Sequence, residues 1–301
     1  MGTVLTTITR WTLACVALVA ACSPARPATR SERGGGERLI DDAGDTVAVA
    51  IPARRVVSLV PATTELLFAV GAGDAVVGRT PWCDWPAAAS GVPNVGDGIQ
   101  PNLEAILARK PDLVVLYPSG QNNDAYHRLK ELGIPALRLR TDHLADVPRL
   151  ARLLGHVTGH ETQADSVART FDAELATATA GARTDTVQVF FLAWDKPTMT
   201  VGRGSFITEL LERAGAANVF GDVAGSSAVV SVEAVAARAP DVVLTLGDDA
   251  PKDLDRPEWQ VVGAVRDGRT VHVDGSEFSR PSPRAPRAIR ELRQALAEVS
   301  R

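Results

Sequence analysis

Only three of the 301 residues are cysteine, two are methionine and two are tyrosine, and aromatic residues make up 5% of the chain. Cys15, Cys22 and Cys83 cannot form the paired arrays that ligate a structural zinc or staple a small core. Basic charge is also short: 32 Lys and Arg face 36 Asp and Glu, a formal net charge of -4. Counterion release at a phosphate backbone needs the opposite balance, which excludes nucleic acid as a partner class. Catalytic signatures are missing as well: the chain has no Gly-x-Ser-x-Gly elbow, no His-Glu-x-x-His and no phosphate loop, and Gly202-Arg203-Gly204 lacks the third glycine of a dinucleotide fingerprint. What remains is an ordinary globular composition, 45% hydrophobic and 23% charged, with length for two domains.

The apolar run at residues 11–21 follows Arg10 and is eleven residues long. At 1.5 Å per residue it covers about half of a hydrocarbon core of roughly 30 Å, too little to span. A basic residue, a short apolar stretch and small residues before a cleavage point describe a secretory signal over residues 1–21. Its end, Val19-Ala20-Ala21-Cys22, resembles a bacterial lipobox, which makes Cys22 the lipidated first residue of the mature chain. Processing removes Arg10 alone among charged residues, leaving 31 basic against 36 acidic groups, or -5. Residues 22–37, with Pro24, Pro27 and Gly34-Gly35-Gly36, read as a flexible tether. The folded part is thus expected outside the cytoplasm on a membrane surface, where Cys83, the one thiol left, has no partner for an internal disulfide. It is expected to be buried and inert, with thiolate coordination of a ligand metal as the alternative.

From residue 55 onward, β-branched runs at 56–60, 75–80, 113–117 and 135–139 alternate with helical stretches, and the pattern returns at 187–192, 242–246 and 270–273. Strands spaced by helices predict βαβ units around parallel sheets. Residues 39–42 and 46–49 form a small leading hairpin. The fold class is α/β: two Rossmann-like lobes with parallel sheets, at 38–143 and 183–301, joined by one long α-helix at 144–182. Val147, Leu150, Leu154, Val157, Ala164, Ala168, Phe171 and Leu175 supply the helical stripe, which read as one helix is about 50 Å long. Gly155 and Gly159 weaken its middle by about 1 kcal/mol each.

The lobes carry the trace of a duplication. Thr64-Glu65-Leu66-Leu67 with Gly71-Ala72 returns as Thr208-Glu209-Leu210-Leu211 with Gly215-Ala216, displaced by 144 positions. Asn102-Leu103-Glu104-Ala105 through Arg109-Lys110-Pro111-Asp112 returns as Ser231-Val232-Glu233-Ala234 through Arg238-Ala239-Pro240-Asp241, displaced by 129. Glu104 and Glu233 therefore sit at the starts of equivalent helices, where a first-turn carboxylate also suits the helix dipole.

Ligands of open α/β sheets bind outside the carboxyl ends of the strands. Of the four mature tryptophans, Trp82, Trp85 and Trp194 fall at such ends, as do Tyr117 and the segment Ser276-Glu277-Phe278-Ser279-Arg280. Their clustering predicts an aromatic-lined cleft for a large, flat, amphipathic ligand. An envelope enzyme working through Asp84, Asp195 or Glu277 in that cleft is a competing reading. His156 and His160 have the i,i+4 spacing of a helical metal pair but no third ligand in view, so solvent-facing histidines and no metal are expected.

The stretch Arg55-Val56-Val57-Ser58-Leu59-Val60-Pro61-Ala62-Thr63-Thr64-Glu65-Leu66, then Val77-Gly78 through Asp84-Trp85-Pro86, Pro101-Asn102-Leu103-Glu104 and Lys110-Pro111-Asp112-Leu113-Val114, closely resembles the helical-backbone periplasmic binding proteins of ABC importers. Within that family the chain is most similar to the cobalamin-binding members. The resemblance covers essentially the whole mature chain. It implies capture of a corrinoid, or alternatively an iron-siderophore or haem, and delivery without covalent chemistry or a cofactor to a permease dimer with its ATPase subunits. Carried over by position, Trp82 matches an aromatic that contacts the corrin ring, Ser276 to Arg280 match a ligand-binding segment, and Glu104 and Glu233 match glutamates that dock into arginine pockets of the permease. Gly96-Asp97-Gly98-Ile99 and Ser226-Ser227 lack aromatics that a cobalamin binder carries there.

Overall fold

The computed structural model describes residues 36–181, 186–247, 254–273 and 275–299. The signal segment, Cys22 and nearly all of the tether lie outside these residues. A hairpin of β1 (Glu37–Ile40) and β2 (Thr46–Val49) comes first. Its first strand stops at Ile40, two residues short of the expected end, because Asp41 Oδ1 accepts the N–H groups of Ala43 (3.0 Å) and Asp45 (2.8 Å) and bends the chain into a turn.

The first lobe follows in the order β3 (Val56–Ser58), α1 (Pro61–Ala69), β4 (Val76–Arg79), α2 (Leu103–Ala108), β5 (Leu113–Leu116), α3 (Asn123–Glu131), β6 (Ala136–Arg138) and α4 (Asp146–Thr158). Its four strands pair in parallel in the order β4-β3-β5-β6. After α5 (Glu161–Thr179), the second lobe runs β7 (Val187–Leu192), β8 (Met199–Val201), α6 (Phe206–Ala214), β9 (Ala216–Asn218), β10 (Ser227–Val229), α7 (Val232–Ala237), β11 (Val242–Leu246), α8 (Gly263–Arg266), β12 (Thr270–Val273), α9 (Gly275–Phe278) and α10 (Ala285–Val299). Here the parallel order is β12-β11-β7-β9. The α/β class with two parallel-sheet lobes is as expected. The antiparallel ribbon β8-β10 and strand β9 are additional.

The central strands are mostly apolar because both faces of each sheet are covered, and β5 is apolar throughout. Along β5, Leu113 and Val115 enter one core cluster while Val114 and Leu116 enter another. Along β7, Val189 and Phe191 alternate in the same way with Phe190 and Leu192. One continuous cluster joins the helix-covered inner faces of both lobes through Phe171 and Ala178 of α5.

The expected 50 Å helix is two helices. Gly159 (φ 75°) ends α4 in a left-handed cap, with His160 N–H donating to Gly155 O at 2.7 Å and Gly159 N–H to His156 O at 3.2 Å. A Cβ on Gly155 would collide with the Ala164 side chain, so the two glycines let α5 start close against α4 rather than extend it. The link between the lobes is α5 alone, 19 residues or about 28 Å. Its last carbonyls are capped by Arg293 of α10, which donates to Ala178 O (2.6 Å), Ala180 O (2.9 Å) and Gly181 O (2.8 Å).

The duplication is visible in backbone geometry. Gly71 (φ 86°) and Gly215 (φ 84°) end α1 and α6 in the same left-handed turn. Lys110 (φ 49°) and Ala239 (φ 46°) are the two described non-glycine residues with positive φ, and they too are equivalent. Asp112 then accepts the Arg54 and Arg55 N–H groups (2.8 and 2.9 Å) where Asp241 accepts that of Gln188 (2.9 Å).

The hairpin is anchored to the first lobe by Arg138, whose Nε donates to Asp41 Oδ2 at 2.9 Å and whose guanidinium also pairs with Asp45 and lies 4.0 Å over the Tyr126 ring. Tyr126 is buried and donates its hydroxyl to Asp45 Oδ2 at 2.9 Å. Burial, then the Asp45 hydrogen bond, push its pKa from 10.0 up to about 12. The folded state thus holds the phenol proton longer than the unfolded chain, so this contribution is complete below pH 10 and is lost between pH 10 and about 12. Thermal unfolding should show a midpoint falling across that window, and Tyr126→Phe should flatten that fall.

Candidate functional site

Between the lobes lies a cavity of about 520 Å³. The first lobe contributes Val60, Pro61 and Ala62 from the β3–α1 junction, Trp82 and Asp84 after β4, and Thr141 and Asp142 after β6. The second contributes Ser205 and Phe206 at the start of α6, Ser226 before β10, and Ser276, Ser279 and Arg280 around α9. A second cavity of about 400 Å³, walled by the first lobe, shares Val60, Pro61 and Trp82 with it, and its further walls include Leu59, Ile99 and Tyr117. Polar side chains thus line the gap between lobes, while the second cavity is largely apolar.

The β3–α1 junction is placed by local chemistry. Pro61 starts α1, its fixed φ suiting the first turn where no N–H partner is needed. Beneath it, Ser58, Thr63, Thr64 and Cys83 are fully buried, with Thr64 Oγ1 2.8 Å from Ser58 Oγ and 3.1 Å from Cys83 Sγ. Thr80 Oγ1 lies 3.2 Å from the same sulfur. Cys83 is therefore a buried, hydrogen-bonded thiol beneath the cleft wall. Gly98 packs against Leu59 O so closely that a Cβ would overlap it, which leaves Ile99 as the exposed apolar surface of that loop.

Arg280 ties the two sides together. Its Nη1 donates to Trp82 O (2.8 Å), Nη2 to Asp84 Oδ1 (2.5 Å) and Nε to Ser276 O (3.1 Å), and Nε also lies 3.1 Å from Glu65. Trp82 is consequently held by its backbone while its indole, 68% exposed, stands free in both cavities. Tyr117 donates to Asp142 Oδ1 at 2.8 Å, and burial followed by that bond raises its pKa, keeping it a neutral donor.

Of the sequence-predicted residues, Trp82, Tyr117, Ser276, Ser279 and Arg280 line these cavities. Four do not, and their expected place in the cleft is corrected. Phe278 is buried in the core because α9 turns it inward onto the second lobe. Glu277 is buried too, 3.3 Å from Arg284 and 3.5 Å from Arg287. Trp85 lies under the Arg284 guanidinium (4.6 Å) in a separate groove with Phe68 and Pro283. Trp194 is 62% exposed on the β7–β8 connection, its Nε1 donating to Lys196 O at 3.0 Å, and lines neither cavity. Ser226 lies in the segment that the family resemblance had singled out for its missing aromatic, whereas Thr141, Asp142 and Ser205 belong to no motif, and of these only Ser205, placed one residue before a helix, carries a signal.

Glu104 and Glu233 are exposed in the first turns of α2 and α7, each helix capped by the equivalent residue: Asn102 accepts Ala105 N–H at 3.0 Å and Ser231 accepts Ala234 N–H at 3.2 Å. Neither lines a cavity. His156 Nε2 meets Glu37 Oε2 at 2.9 Å and His160 Nδ1 meets Thr158 Oγ1 at 3.2 Å, the break at Gly159 having destroyed their helical register. No group of three metal-ligating side chains occurs among the described residues, and none of the described helices is long and apolar enough to cross a membrane.

Two α/β lobes around a lined cleft, linked by a single helix, agree with the periplasmic binding protein family model, which matches residues 56–276. The chain belongs to this family. The binding protein is 29% identical over 252 residues to the vitamin B12-binding protein of Vibrio parahaemolyticus, covering 83% of this chain and 92% of that one. It is equally 29% identical to an ABC transporter substrate-binding lipoprotein, YvrC, of Bacillus subtilis, over 85% and 84% of the two chains. Among solved structures, the periplasmic vitamin B12 binding protein BtuF of Vibrio cholerae superposes with a TM-score of 0.73 at 26% identity, covering 83% and 99% of the chains. The periplasmic heme-binding protein RhuT of Roseiflexus gives 0.73 at 25% identity over 83% and 100%.

Proposed function

We infer that this binding protein captures a corrinoid such as cobalamin between its lobes and hands it to an ABC importer, a permease dimer with its ATPase subunits. The observation that carries the reading is the pair of adjacent cavities sharing the exposed Trp82: an apolar slot beside a polar gap suits a large ring with polar substituents. The vitamin B12-binding relatives support that ligand class. Isothermal titration with cyanocobalamin should give one site per chain at micromolar affinity or tighter, about -8 kcal/mol or better. No heat with any corrinoid, together with clear binding of haemin or a ferric siderophore, moves the ligand to the iron-chelate class, which the haem-binding neighbour favours.

No covalent step and no resident cofactor are part of this reading. Each carboxylate of the enzymatic alternative is engaged by an arginine: Asp84 by Arg280, Asp195 by Arg256, and Glu277 by Arg284 and Arg287. Carboxylates so paired are poor general bases, and turnover assays on bound ligands should detect no product. We place the protein outside the cytoplasm, anchored through a lipid on Cys22; a relative named as a lipoprotein supports this. Cys22→Ser should abolish incorporation of radiolabelled palmitate.

A further inference from the structure

Glu65 and Glu209 hold the same place in the repeated Thr-Glu-Leu-Leu motif, and each sends its carboxylate into the other lobe. Glu65 of α1, buried, accepts Arg284 Nε at 3.1 Å and Nη2 at 2.9 Å and also lies beside Arg280, both arginines coming from the segment ahead of α10. Glu209 of α6 accepts the Leu144 N–H at 3.0 Å and lies 3.8 Å from His143 Nδ1, in the segment ahead of α4. Since α1 packs on α4 and α6 packs on α10, the two contacts obey the same pseudo-two-fold relation as the repeats. Pro61 and Ala62 on one helix, and Ser205 and Phe206 on the other, line the cleft one turn ahead of these glutamates. Neither glutamate lines the cleft itself.

The two contacts differ in strength. Glu65 is a nearly dry carboxylate between two guanidinium groups, and losing its charge leaves those cations facing one another in low dielectric. Glu209 is partly hydrated, its charge is already met 3.8 Å away by Arg213 of its own helix, and its hydrogen bond to the other lobe is to one neutral amide, a bond that water can replace. We propose that Glu65 and Glu209 are positioning residues that set the separation of the lobes, Glu65 as the pivot and Glu209 as the releasable catch, so that the cleft opens on the Leu144 side. The idea deepens the solute-capture reading, but its first test needs no ligand.

That test uses the full protein with nitroxides attached through p-acetylphenylalanine at exposed positions 140 and 212, flanking the Glu209 contact, or 69 and 290, flanking the Glu65 contact. Pulsed dipolar distances without ligand should lengthen and broaden for the 140/212 pair in Glu209→Ala and stay unchanged for 69/290. Glu65→Gln should move both pairs, and Glu65→Asp should restore most of the original distribution. An unchanged 140/212 distance in Glu209→Ala, or a larger change at 69/290, overturns the proposal. With cyanocobalamin as probe, Glu209→Ala should dissociate about tenfold faster, which is ~1.4 kcal/mol, at unchanged melting temperature. If the unaltered protein does not bind cyanocobalamin, the ligand reading falls while the distances still decide the pivot and catch.

Discussion

Replacing Glu104 and Glu233 together by arginine should abolish uptake while leaving ligand affinity within about a factor of two. Crossover helices of parallel sheets begin on the side of the strands' carboxyl ends, so α2 and α7 present these residues on the face where each sheet opens to the cleft. Both carboxylates are exposed, and their first-turn positions are equivalent under the internal repeat, which suits a permease with its own two-fold axis. Glu233 is held below the usual carboxylate range by its backbone amide and the Ser231 hydroxyl, so it is charged at any physiological pH. Opposing arginine clusters would grip such carboxylates bidentately, and reversing the charge sets like against like at a cost of several kcal/mol. Transport measured in proteoliposomes, beside calorimetry on the same double variant, separates docking from capture. Normal transport, or lost ligand binding, would remove these two residues from the docking role.

The second large effect is expected at the cleft. Trp82→Ala should weaken cobalamin binding by about 1 to 3 kcal/mol, roughly 5- to 150-fold, because the indole is the one large aromatic face standing in both cavities. Its side chain is mostly solvent-exposed, so the melting temperature should not move, and a loss of affinity cannot be ascribed to unfolding. Trp82→Phe should retain part of the stacking. Equal affinity for alanine and tryptophan forms would take Trp82 out of the pocket.

The parts of the fold legible in the sequence are those governed by two-sided burial. The runs at β5, β7 and β11 are mostly apolar, broken only by Gln188 and Thr245, because each lies in a sheet covered on both faces, and the two displaced motifs survive as paired left-handed turns at Gly71 and Gly215 and at Lys110 and Ala239. Gly155 and Gly159 mark the break, but the apolar stripe runs on through it: the stripe reports which face meets the core, and α4 and α5 both meet it. Ribbon β8-β10 offered only three residues per strand, too few for any periodicity to emerge. At the site, aromatic spacing singled out Trp82 and Tyr117 correctly for cavity walls but also Trp85 and Trp194, since position at a strand end does not determine which way a side chain turns. Thr141 and Asp142 are brought to the cleft by tertiary placement of loops, for which residue type carries no signal.

The cap that Arg293 places on the end of α5 has a consequence for biogenesis. The guanidinium lies 115 residues further along the chain than Ala178, the first carbonyl it serves. Strands β3 to β6 can pair as soon as they have emerged, yet the end of the linking helix stays frayed until α10 arrives. The relative orientation of the two halves therefore depends on the last helix of the chain, and a chain ending before α10 would keep the strands of its first half but lose the cap on the linking helix.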